Sequence, residues 1–187
     1  MLETLPDEDL MLRLKSGELE AFNVLMKRHK DSVLNFCYRL TGHREEAEDI
    51  TQEVFIRLFK SAESYYPKAR FTVFLYTIAR NLCLNYLDRE RRRPDMLSLD
   101  EGVEAVEKVH SKQPLPSEEL ERKMIMQTIE KAINGLPENL RIVFVLSLYG
   151  GLKYREIAEL LDCPLGTVKS RMAEACRRLR RKLEGIR

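Results

Sequence analysis

Apolar side chains recur every three or four residues along almost the whole chain, and no stretch sustains the strict alternation of a half-buried strand. That single period commits the chain to helices packing on helices. The last segment shows it most cleanly. Val168, Met172, Ala175, Leu179 and Leu183 follow one another at spacings of four and three, one face of a helix over about 164–184. Its other faces carry Lys169, Ser170, Arg171, Glu174, Arg177, Arg178, Arg180 and Arg181.

The same period and its interruptions divide the chain. Pro6 suits the first turn of an opening helix through about Lys15. A second helix over about 19–40 places Phe22, Leu25, Met26, His29, Val33, Phe36 and Leu40 on one side, and Gly42 is placed to end it. A third runs over about 45–61, and a fourth from near Phe71 to the ERRRP stretch, where Pro94 forbids continuation. Residues 94–116 hold three prolines, several acids and no steady period, which marks a flexible acidic linker. Ser117 followed by Glu118 and Glu119 suits a helix start. Helices are then expected over about 117–134, 137–149, 153–161 and 164–184, punctuated by Gly135-Leu136-Pro137, Gly150-Gly151 and Asp162-Cys163-Pro164. The expectation is an all-α chain of two small helical domains, 1–93 and 117–187, joined by the linker 94–116.

Charge is uneven along this plan. The total is only +2. From Gly166 to Arg187 eight Lys or Arg face two Glu, a net +6, whereas from Pro94 to Glu121 eight acids face two lysines, a net −6. A basic end suits a polyanionic partner. The short helix before Asp162 has Tyr154, Ile157, Ala158 and Leu161 on one face. A short helix, a tight turn and a second helix with a basic outer face is the layout that reads the major groove. Lys169, Ser170 and Arg171 lie in its first turns, where base edges come within reach, and the later arginines are better placed for phosphates. Glu174 could accept from a cytosine amino group or pair with Arg177 or Arg178 on its own helix.

Two helices of the first domain carry surplus features. In EEAEDITQEVFIRLFKS, Ala47, Ile50, Val54 and Leu58 form a core stripe that Phe55, Ile56 and Phe59 cannot all join. The remainder suits either a docking face or a fully buried helix. In the fourth helix, Phe71, Phe74, Leu75, Ile78, Leu82 and Tyr86 form the expected stripe. Lys68, Arg70, Arg80, Asn81, Asn85, Arg89 and Arg91 to Arg93 lie around it, near Tyr65, Tyr66 and Tyr76. Cations interleaved with rings suit single-stranded DNA, or describe core tyrosines beside an ordinary charged helix end.

Other classes lack support. No glycine-rich phosphate loop, GxSxG or HExxH is present, so no enzyme activity is expected. Cys37, Cys83, Cys163 and Cys176 form no CxxC pair and do not cluster in sequence with His29, His43 or His110, so no metal or other cofactor is expected. Free thiols, an acidic start and no apolar run long enough for a membrane span point to a cytoplasmic protein with no membrane insertion.

Together, EEAEDITQEVFIRLFKS, FTVFLYTIARNLCLNYLDRERRR and LPENLRIVFVLSLYGGLKYREIAELLDCPLGTVKSRMAEACRRLRRKL resemble bacterial RNA polymerase sigma factors of the extracytoplasmic-function group. The resemblance covers both helical domains. It implies an initiation factor in a stress or envelope response, with no cofactor of its own. It implies that Asp49, Gln52, Glu53, Phe55 and Arg57 meet the clamp helices of the largest subunit of core RNA polymerase. It implies that Tyr65, Tyr66, Lys68, Arg80, Asn81 and Asn85 capture and open the minus-10 element as single-stranded DNA. It implies that Lys169, Ser170, Arg171 and Glu174 read the minus-35 element as duplex, with Arg177, Arg178 and Arg181 behind them. It further implies control by an anti-sigma factor wrapped around both domains. Many members carry Trp where this chain has Phe74, and this chain has no Trp. The alternative is a stand-alone helix-turn-helix regulator with a dimerising or sensing first domain.

Overall fold

The computed structural model describes residues 2–92 and 117–184. It contains α1 (Asp7–Lys15), α2 (Leu19–Thr41), α3 (Arg44–Ser61), α4 (Phe71–Arg92), α5 (Ser117–Asn134), α6 (Glu138–Leu148), α7 (Tyr154–Leu160) and α8 (Leu165–Leu183), with a short 3-10 turn at Leu2–Thr4 before them. Among the described residues there is no strand. The expected linker at 94–116 lies outside the described residues.

Local chemistry sets the helix ends. Pro6 sits just before α1, whose first turn holds Asp7, Glu8 and Asp9, the sign that the helix dipole favours there. Gly42 closes α2 at φ +81°, its N–H donating to the Tyr38 carbonyl at 2.8 Å. Any residue with a Cβ is strained at that angle. The start of α4 is capped from a distance: Phe71 N–H donates to the Glu8 carboxylate of α1 at 2.7 Å.

Helix α2 is the spine of the first bundle and packs against α1, α3 and α4. Phe36 and Tyr76 meet edge to face there, with ring centroids 5.1 Å apart. In the second bundle α8 packs against α5, α6 and α7. The buried residues of α8 are Val168, Met172, Ala175 and Leu179, with Leu183 half-buried. The expected stripe is the observed one.

Two other stripes are rotated from expectation. In α4 the buried residues are Phe71, Val73, Leu75, Tyr76, Ala79 and Cys83, while Phe74, Ile78, Leu82 and Tyr86 are half-buried. The helix touches α2 and α3 and also α7 of the second bundle, so more than one face is covered. In α7 the buried pair is Ile157 and Leu160, and Tyr154 is exposed.

The bundles meet where α2 lies against α5 and α6, and α4 against α7. The contact is close. A Cβ placed on Gly150 would come within 3.3 Å of the Tyr76 ring.

Candidate nucleic-acid interface

The turn between α7 and α8 is built from Leu161 to Pro164. Asp162 takes a left-handed conformation at φ +47°, and Cys163 N–H returns to the Ala158 carbonyl at 3.0 Å. This turn does not use the glycine beside it. Gly166 lies inside α8 at an ordinary angle, and a Cβ there would meet nothing. Pro164 stands immediately outside the helix, one residue earlier than a first-turn position.

With the apolar stripe buried, α8 turns Lys169 and Ser170 to solvent and leaves Arg171 half-buried. The Ser170 hydroxyl donates to the Thr167 carbonyl at 3.0 Å. Glu174 is engaged on its own helix: its carboxylate accepts from Arg177 and, at 2.7 Å, from Arg178. The Arg178 hydrogen bond, with the charges of Arg177, Arg178 and Arg181, holds the Glu174 carboxyl below the usual carboxylate range. In this chain alone Glu174 therefore orders two arginines instead of offering a free acceptor. Arg177, Arg178 and Arg181 are exposed.

The second basic region lies along α4 and the loop before it. Asn81 and Asn85 are exposed one turn apart, and Arg80 is half-buried with its Nε lacking a protein partner. Tyr66 is 71% exposed and Lys68 is exposed, with Lys68 N–H closing a tight turn to the Tyr66 carbonyl at 2.8 Å. Tyr65 differs from the sequence expectation. It is 5% exposed, its ring is 5.4 Å from that of Phe74, and Lys15 Nζ holds its carbonyl at 3.0 Å. Tyr65 therefore supports the loop from below, and Tyr66 is the ring available for stacking. Tyr76 is buried against Phe36 and offers no surface.

Helix α3 presents Asp49 and Gln52 to solvent, beside Glu53 and Arg57, which pair at 2.7 Å. Phe55 is only 5% exposed and packs edge-on to Phe22 at 6.3 Å, so it too is corrected from a surface position to an inner one. The apolar groups at the surface are Ile56 and Phe59. The signal for them was the surplus of three adjacent-face apolar residues. Their division between core and surface needed the position of Phe22, which also meets Phe59 at 5.3 Å.

The two basic regions converge on a cleft of about 160 Å³ lined by Arg80, Leu84, Glu138, Asn139, Ile142, Leu161 and Arg171. Among the described residues, no three His, Cys, Asp or Glu side chains gather as a metal site, and no helix is long and apolar enough to cross a membrane. Cys37 and Cys83, remote in sequence, meet in the core. A hydrogen bond to Cys37, together with burial, pushes the Cys83 thiol well above its ordinary range.

Comparison with known proteins matches residues 25–93 to the Sigma-70 region 2 family and residues 126–179 to the Sigma-70 region 4 family. The ECF RNA polymerase sigma-E factor of Haemophilus influenzae is 34% identical over 194 aligned residues, covering 100% of both chains. The RNA polymerase sigma-H factor of Pseudomonas aeruginosa is 34% identical over 178 residues, covering 94% of this chain and 92% of its own. The structure of the sigma factor RpoE from Bartonella quintana, solved in complex with the anti-sigma factor NepR, superposes with a TM-score of 0.68 at 24% identity, covering 89% of this chain and 98% of that one. The chain belongs to the extracytoplasmic-function sigma factors of the sigma-70 family, transcription initiation factors and not enzymes.

Proposed function

We propose that this chain seats on core RNA polymerase through the outer face of α3 and grips promoter DNA at two places. Asp49, Gln52, Glu53 and Arg57, with the exposed Ile56 and Phe59, form the seat on the clamp helices. Lys169, Ser170 and Arg171 read the minus-35 duplex, and Arg177, Arg178 and Arg181 hold its phosphates. Tyr66, Lys68, Arg80, Asn81 and Asn85 receive the minus-10 strand, by stacking on the ring and by cation and amide contacts along the backbone. The observation that carries this reading is the presence of two separate basic helical surfaces, α4 and α8, on one chain that also exposes an acidic and apolar helix.

The protein itself performs no bond chemistry in this scheme. Its contribution is positional. Phosphate contacts set the register of the duplex, base-edge contacts choose the sequence, and stacking lowers the free energy of the opened strand. It acts in the cytoplasm, beside the polymerase and the chromosome. The NepR partner of the Bartonella quintana sigma factor supports control by an anti-sigma factor.

A gel-shift assay separates this proposal from a stand-alone regulator. The polymerase complex should retain promoter duplex that the free protein does not. Tight, sequence-specific retention by the free protein at the same salt concentration would overturn it.

A further inference from the structure

Two side chains of α1 reach the segment that leads into α4. Lys15 Nζ donates to the Tyr65 carbonyl at 3.0 Å, and Phe71 N–H donates to the Glu8 carboxylate at 2.7 Å. Glu8 and Lys15 stand seven positions apart. That is two helical turns, so they share one face of α1 about 10 Å apart. Tyr65 and Phe71 bound the loop that exposes Tyr66 and Lys68. The loop is therefore tied at both ends to one helix. Rings complete its seat: Tyr65 rests against Phe74, and the His29 ring lies 5.2 Å from that of Phe71. Burial, and then the charges of Glu8 and Asp7, push the Tyr65 hydroxyl above its ordinary range, so the acidic start of α1 acts on that ring. A brace needs a fixed base, and α1 has one. Its Leu10, Met11 and Leu14 are buried, and Asp7 pairs with Arg28 at 2.6 Å and with His29 at 2.8 Å, both on α2.

We propose that Glu8 and Lys15 are positioning residues for strand capture: they hold the 66–70 loop in the shape that presents Tyr66 and Lys68 to the opened strand, without touching DNA themselves. The proposal rests on the assignment of that loop to the minus-10 strand given above. A loop tied at neither end samples many conformations, and a strand that binds it must first halt them. Tying both ends before the strand arrives removes that ordering from the binding step. Both partners on the loop are neutral backbone groups. An acceptor oxygen is therefore what the brace needs at Glu8, and a donor at Lys15, with no demand for the charge itself. Lys15 is exposed and Glu8 is half-buried, so neither fills the core of the bundle.

The test sets Glu8→Ala and Lys15→Met against Glu8→Gln and Lys15→Arg, which keep the acceptor and the donor. Each full chain is assembled with bacterial core polymerase. Fluorescence anisotropy then reads affinity for two labelled probes: a single strand of about 20 nucleotides with the downstream motif that the parent holoenzyme selects, and a duplex with the upstream motif. Glu8→Ala and Lys15→Met should each lose about fivefold on the single strand, the factor one hydrogen bond carries. On the duplex they should stay within about twofold of the parent, because α8 is untouched. Glu8→Gln and Lys15→Arg should restore strand affinity to within about twofold. In a chain that already carries Tyr66→Ala and Lys68→Ala, adding Glu8→Ala should cost less than about twofold more, since the side chains it positions are gone. Equal losses on both probes, no rescue by glutamine and arginine, or an undiminished loss in that background would overturn the proposal. A second measurement uses the free chain without DNA. The Phe71 amide proton should exchange with solvent at least about tenfold faster in Glu8→Ala than in the parent or in Glu8→Gln, and an unchanged rate would contradict the brace. Strand affinity that survives Tyr66→Ala with Lys68→Ala would count against the assignment of the loop. With that assignment intact, a silent Glu8→Ala would overturn the bracing alone.

Discussion

Arg39 is the charged residue on which the packing makes its sharpest demand. Its side chain is 8% exposed, its Nη2 pairs with Glu130 at 2.9 Å, and its guanidinium carbon lies 5.5 Å from the Tyr38 ring and 5.2 Å from the Tyr149 ring. Its Nε and Nη1 have no protein partner. Truncation in Arg39→Ala leaves Glu130 alone. Orphaning one member of a fully buried pair costs roughly 3–5 kcal/mol, and the Glu130 side chain, 24% exposed, can take up water, so about 2–3 applies. Two lost ring contacts add roughly 0.5–1 kcal/mol each. Removing two buried and unpartnered N–H groups returns about 1 kcal/mol each. The net expected loss is about 2 kcal/mol. In urea unfolding followed by helical circular dichroism, that loss moves the first midpoint down by about 1 M, for a slope near 2 kcal/mol per molar. The double variant Arg39→Met with Glu130→Met removes the orphan and keeps the volume, so it should lie within about 1 kcal/mol of the parent or above it. An Arg39→Ala midpoint indistinguishable from the parent's, or a double variant as unstable as the single one, would refute this reasoning.

Other expectations follow from the same packing. Phe55→Ala should cost about 3–4 kcal/mol of stability through the cavity it leaves, whereas Phe59→Ser should cost only about 1 kcal/mol, through the lost ring contact with Phe22, and weaken co-purification with core polymerase; the reverse pattern would exchange their roles. Gly166→Ala should raise stability by about 0.5 kcal/mol in a thermal melt, because α8 gains a better helix former and the Cβ meets open space; a loss would show that the folded chain needs this glycine. Asp7 is pushed up by burial, but hydrogen bonds from His29 at 2.8 Å and from Arg28 prevail and hold its carboxyl below the usual range. A depressed folded-state value contributes stability above the unfolded value, and that contribution is lost as pH falls through the folded one. Asp7→Asn should therefore be less stable than the parent at neutral pH, with the gap closing below about pH 4 in acid titrations. A gap that stays constant into strong acid would contradict this.

What could be read from sequence depended on how many sides of a helix are covered. Helix α8 has one apolar and one charged face, and its stripe was legible residue by residue. Helix α4 is packed by α2 and α3 and again by α7. Its polar and apolar positions consequently do not separate by face, and the expected stripe was rotated away from Val73, Tyr76, Ala79 and Cys83. The same cause hides the direction of single rings. Tyr65 and Tyr66 are adjacent and chemically alike, and only the place of Phe74 and Lys15 turns one inward and leaves the other out. The helical period left Phe55 open between core and surface, and the resemblance placed it at the polymerase contact; Phe22, more than thirty positions earlier, covers it. Arg39 was invisible for a different reason. A lone arginine near a helix end is ordinarily solvated, and only tertiary packing places tyrosines on it and a carboxylate of the other bundle beside it. The capping of α4 by Glu8 is equally remote in sequence.

The central claim is that one chain, once seated on polymerase, reads two promoter elements held at a fixed separation. Transcription by bacterial core polymerase supplemented with the purified chain, on a library of randomised promoter sequences, tests it most directly. Productive templates should share two short motifs at one spacing, the downstream one opened at the start site, and Lys169→Ala with Arg171→Ala should erase selection at the upstream motif alone. Transcripts no different from those of core polymerase by itself, or a single motif with no fixed companion, would contradict the account.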